Sequence, residues 1–123
     1  MGLIRTKTYI KYARINLQEA EIALQKSDYE MCARKIFVCT DALIKAIAAA
    51  LPMVKADFFS MSLGQFSKNM EDLADDKDIS CQIAKNLFEA RNLAKTKEMD
   101  RITAETALGH AGSAFTSLHE LFT

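Results

Sequence analysis

Two groups of cationic side chains are the residues of this chain best suited to chemistry. The first lies in the run Leu87-Phe-Glu-Ala-Arg-Asn-Leu-Ala-Lys-Thr-Lys97. Here Ala84, Phe88, Arg91 and Lys95 share one helical row beside the apolar stripe, which puts Arg91 at the edge of the core and Lys95 one turn beyond. Arg91 can form an ordinary surface ion pair with Glu89 or Glu98, or it can hold an anion in a polar cleft. The second group is Lys7, Lys11 and Arg14, which recur at i, i+4 and i+7 and so share a helix face. No acid precedes Glu19 to neutralise them, so this face is either a solvated exterior or a secondary surface for phosphates.

The other reactive residue types do not converge. His110 and His119 are the two histidines; nine steps of about 100° set them on opposite sides of one helix, so they cannot share a metal. Cys32, Cys39 and Cys81 are the three cysteines. Cys32 and Cys39 lie two helical turns apart, roughly 10 Å along the axis, too far for a disulfide. All three read as buried reduced thiols, and the alternative, a redox or catalytic cysteine, has no CxxC to support it. The acids Glu71, Asp72, Asp75, Asp76 and Asp78, against Lys77, lack EF-hand spacing and read as a solvated turn. With no GxGxxG, P-loop or GxSxG, neither a cofactor nor a metal is expected.

Composition narrows the setting for these residues. The 123 residues fit one domain, 1–123, with a core that needs no disulfide or metal staple. Sixteen basic and sixteen acidic residues cancel, which excludes a strongly basic polyanion binder but leaves room for a local patch. The longest apolar run, Ala46 to Val54, is interrupted by Pro52 and falls far short of the roughly 20 residues of a membrane span. No apolar leader follows Arg5, Lys7 and Lys11. The expected setting is cytoplasmic, with no membrane partner.

Four glycines and one proline are too few for a turn-rich β fold, and Ala, Leu, Met, Lys, Glu and Gln favour helix. The apolar spacing predicts a first helix from about Leu3 to Gln25, with Ile10, Ala13, Leu17, Ala20 and Leu24 inward. Ser27 or Asp28 can cap a second helix from about Tyr29 to Leu51. Its stripe is Ala33, Ile36, Phe37, Thr40, Leu43, Ile47 and Ala50, and Pro52 ends it. An irregular stretch, Met53 to Met61, leads to a third helix over about Ser62 to Ala74. A fourth starts near Asp78 with Ile79, Ile83, Leu87, Ala90 and Ala94 inward. The last starts between Asp100 and Thr103 and carries Ala104, Ala107, Leu108, Ala111, Phe115, Leu118 and Phe122. The expected fold is all-α, an antiparallel four- to five-helix up-and-down bundle.

Two stretches resemble the HEPN superfamily of small helical bundles. Asp28-Tyr-Glu-Met-Cys-Ala-Arg-Lys-Ile-Phe-Val-Cys-Thr-Asp-Ala-Leu-Ile-Lys-Ala-Ile47 is similar to the family's second helix, with its "DY" opening and alanines at helical spacing. Ala90-Arg91-Asn92 is similar to the family's arginine followed by a polar residue. Many members are metal-independent ribonucleases whose motif is Arg, four to six residues, then His. In this sequence that window holds Thr96, Lys97 and Glu98, none a histidine. A lysine, with a reference pKa of about 10.4, is a poor proton acceptor near neutral pH. The resemblance therefore implies a non-catalytic module that binds a nucleotide, RNA or a nucleotidyltransferase-type protein, as in a toxin–antitoxin-like pair. Its site would be Arg91, Asn92, Lys95 and Lys97, with Arg91 gripping phosphate by two hydrogen bonds and Asn92 donating others. The alternatives are a ribonuclease with a rewired site using Lys97 or His110, and a structural oligomerisation domain.

Self-association as a homodimer is expected from the end of the second helix, where Ala42, Ile44 and the run Ala46 to Leu51 are apolar on nearly every side. A loop carrying Phe58 and Phe59 folded over that end would remove the need for a partner. The resemblance implies a dimer as well, with two copies of Arg91, Lys95 and Lys97 facing one cleft.

Overall fold

The computed structural model describes residues 2–51, 68, 74 and 76–122. Four long helices run through them: α1 (Gly2–Gln25), α2 (Tyr29–Ala50), α3 (Lys77–Ala94) and α4 (Arg101–Phe122). Among the described residues there is no strand. The expected Met53–Met61 stretch and the expected helix over Ser62 to Ala74 lie outside the described residues, as do Glu71, Asp72 and Asp75 of the acidic turn.

Each boundary has a local cause. At the end of α1, the Asp28 N–H donates to the Ala23 carbonyl at 2.9 Å and the Ser27 N–H to that of Leu24 at 3.0 Å. That pattern places Ser27 in the left-handed region, at φ 60°. Asp28 then caps α2, its side chain accepting from the Met31 N–H at 3.1 Å. Leu51 ends α2 in an extended conformation, φ −114° and ψ 103°, as the residue before a proline should. Asp76 caps α3 through the Asp78 N–H at 2.8 Å, and Asp100 accepts from the Thr103 N–H at 2.7 Å at the start of α4.

The helices share one core. Ala13, Leu17 and Ala20 of α1 meet Ile36, Leu43 and Ile47 of α2, with Ile83 and Leu87 of α3 and Leu118 of α4. On α4, Ala104, Ala107, Ala111 and Ala114 are all fully buried, and these small side chains let its backbone approach its neighbours closely. The start of α1 lies beside the end of α2, where the buried Thr6 hydroxyl donates to the Ala46 carbonyl at 3.1 Å. Further along α1, Glu19 pairs at 2.6 Å with Lys35, near the start of α2.

Several inward positions differ from the periodic reading. Ile79 is 43% exposed, and Ser80 is buried in its place. The buried face of α3 is Ser80, Ile83, Ala84, Leu87 and Ala90, a stripe turned by about one residue from the expected one at its start. Cys81 is exposed, unlike Cys32 and Cys39, so the three thiols are not alike. Leu24, Phe37, Leu108, Phe115 and Phe122 are only partly buried. At the end of α2, Ala42, Ile44, Ala46 and Ile47 are buried and Ala48 to Leu51 are half-buried. Among the described residues, the large exposed apolar side chains lie mostly on α1, at Ile4, Tyr12, Ile15 and Ile22. None of the described helices is long and apolar enough to cross a membrane.

Candidate functional site

Arg91 sits in the last turn of α3, half-buried as its row beside the core stripe requires. Its guanidinium carbon is 4.2 Å from the centre of the Phe37 ring on α2, the separation of a cation–π contact. Burial lowers the Arg91 pKa from its ordinary value, and the Asp41 carboxylate acts against that shift. Phe37 and Asp41, both on α2, are therefore among its neighbours. Asn92 and Lys95 are exposed, and Lys95 forms the C-cap of α3, where a cation suits the negative end of the helix dipole.

Beside this contact, a groove of about 630 Å³ lies between the first half of α2 and the connection from α3 to α4. Its apolar wall is formed chiefly by Phe37, Val38 and Met99. Its charged lining is Arg34, Lys97 and Glu30, with Thr96 adding a hydroxyl. Of the four residues singled out by sequence, only Lys97 lines the groove. Arg91 reaches it indirectly, by bracing the ring of Phe37. Asn92 and Lys95 are not part of it. Sequence reasoning missed Arg34 as a site residue and took Phe37 as core alone. The one available signal was their place at i and i+3 on α2, which sets them side by side.

The second basic group is also gathered by the fold. Lys7, Lys11 and Arg14 line a smaller groove of about 270 Å³ together with Ile10, Phe122 and His119. Arg14 Nη2 lies 3.0 Å from His119 Nε2. His110 is placed elsewhere, with Nδ1 2.9 Å from Asn86 Oδ1 on α3. Asn86 and Arg91 are five residues apart, about 140° around the helix, so His110 and Arg91 engage different faces of α3.

The buried thiols are poor nucleophiles. Burial pushes the Cys39 pKa up to about 12, and burial together with the nearby Asp28 charge raises that of Cys32. Among the described residues, no group of three or more His, Cys, Asp or Glu side chains is placed to hold a metal ion.

Compared with family models, curated proteins and solved structures, the chain matches none.

Proposed function

We propose that this protein is a non-catalytic, HEPN-like binding module that takes a nucleotide or RNA in the groove between α2 and the α3–α4 connection. The observation that carries the reading is the composition of that groove. An aromatic and aliphatic wall, Phe37, Val38 and Met99, stands beside two cations, Arg34 and Lys97. A base can stack on the wall while the phosphates meet the cations. The volume of about 630 Å³ is that of a small-molecule site. Arg91 supports the site by holding the Phe37 ring, and its own charge adds to the local potential.

The up-and-down antiparallel order of the HEPN family belongs to the same proposal. Its support is the pairing of Thr6 with Ala46 and of Glu19 with Lys35 along α1 and α2. Two-fold self-association and a nucleotidyltransferase-type partner are further parts of it. The exposed Ile4, Ile15 and Ile22, within about 20° of one another on the outer face of α1, offer an apolar surface for either contact.

The test is a titration of the full chain with mononucleotides and short single-stranded RNA. We expect saturable binding that weakens by about tenfold or more in Arg34→Ala and in Lys97→Ala, since each removes a charge-assisted hydrogen bond. Unchanged affinity in both variants would rule out this groove. Labelled RNA incubated with the protein in chelator separates binding from catalysis. Cleavage that disappears in Lys97→Ala would replace the module with a ribonuclease.

A further inference from the structure

The groove at the other end of α1 has a different character. Lys7, Lys11 and Arg14 from α1 and His119 from α4 surround it, and Ile10 and Phe122 also line it. Among the described residues no acidic side chain lines it, and Glu120, the nearest acid along α4, is exposed to solvent outside it. Three cations are thus held around one concave surface with no acid among its described lining residues, and an anion between them would relieve their mutual repulsion.

Arg14 is held in place by contacts that leave its charge intact. Its Nη2 lies 3.0 Å from His119 Nε2, and its guanidinium carbon is 5.6 Å from the Phe115 ring centre. The Phe115 and His119 rings stack with their centres 5.7 Å apart. Arginine has only donors, so Nε2 of His119 is the acceptor in this contact. The histidine therefore orients the guanidinium without cancelling its charge. Lys7 and Lys11, one turn apart on the same face, are exposed and can swing onto an anion.

We infer that this groove is a second, independent site for the phosphate group of a phosphate ester or pyrophosphate. Arginine's planar fork matches two phosphate oxygens, and the two lysines supply further charge. The groove of about 270 Å³ is less than half the volume of the one beside Phe37, so it fits a phosphate with part of its ester rather than a whole nucleotide. The inference does not depend on the groove beside Phe37.

The experiment follows the His119 ring resonances by NMR, with calorimetry in parallel, as pyrophosphate, a mononucleotide and a single-stranded RNA oligomer are titrated in turn. Pyrophosphate should move the His119 resonances saturably. Lys11→Gln and Arg14→Gln should each weaken that binding by about tenfold, and Lys97→Gln should leave it unchanged. RNA binding that is lost in Lys11→Gln and falls steeply with salt assigns the phosphate to a strand. Binding of pyrophosphate and mononucleotide alone assigns it to a small ligand. His119 resonances unmoved at millimolar pyrophosphate would overturn the inference, as would equal affinity in Lys11→Gln. Lys11 is exposed, so its variant keeps the test decisive if Arg14→Gln, which loses the Phe115 contact, fails to fold. Loss of nucleotide binding in Lys97→Gln with pyrophosphate binding intact would show the two grooves to be separate.

Discussion

The guanidinium of Arg91 lies over the face of the Phe37 ring, 4.2 Å from its centre, and joins the last turn of α3 to the first half of α2. The contact is half-buried, so water weakens it less than it would an exposed pair. It also fixes the ring that walls the larger groove, which links the packing of the bundle to the proposed site.

That contact should be measurable as a coupling. In a double-mutant cycle of Arg91→Met and Phe37→Leu, followed by urea denaturation, we expect an interaction energy of about 1 kcal/mol. Additive losses would show that the two side chains are merely adjacent. The Arg91→Met protein should also bind nucleotides more weakly, because the Phe37 ring is no longer braced.

Ser27 offers a test of backbone strain. It occupies the left-handed region at φ 60°, where a side chain costs roughly 1–2 kcal/mol relative to glycine. Ser27→Gly removes that cost and returns part of it through the greater freedom of the unfolded chain. The expected net gain is about 0.5–1 kcal/mol, read as a higher urea midpoint. A loss of stability would mean that the Ser27 side chain makes a contribution larger than the strain.

Asp100 gives the fold a defined acid sensitivity. The backbone N–H of Thr103, and next its hydroxyl, hold the Asp100 carboxyl below its usual range. A depressed pKa in the folded state stabilises the protein fully above the unfolded value, near 3.9, and that gain is lost as pH falls through the folded value. Asp100→Asn keeps the accepting oxygen without the titration. From about pH 6 down to about pH 2, the thermal midpoint of the natural protein should fall more than that of Asp100→Asn. Parallel curves would contradict the assignment.

Among the described residues, the sequence by itself determined the four helices and their ends. Asp28, Asp76 and Asp100 act at the helix starts through hydrogen bonds to N–H groups two or three residues away, and Pro52 sets the extended Leu51. These are local effects, so local spacing carries them. The inward faces of α1 and α4 were legible for the same reason, because Ala13, Leu17 and Ala20, like Ala104, Ala107 and Ala111, repeat at helical intervals.

Tertiary structure decided which flank of each helix is covered and which side chains meet. Periodicity locates a stripe, but the width and rotation of the buried face depend on the neighbours that pack against it. Ser80 is therefore inside while Ile79 is 43% exposed. The site contacts belong to the same class. Arg14 and His119 lie 105 positions apart, and Arg91 reaches a phenylalanine on another helix. A single helix reveals that Lys7, Lys11 and Arg14 share a face, but only the packing of α4 against α1 closes that face into a groove. The physical reason is that capping and propensity act over a few residues, whereas a binding site forms where side chains from separate helices are brought together by burial of the core.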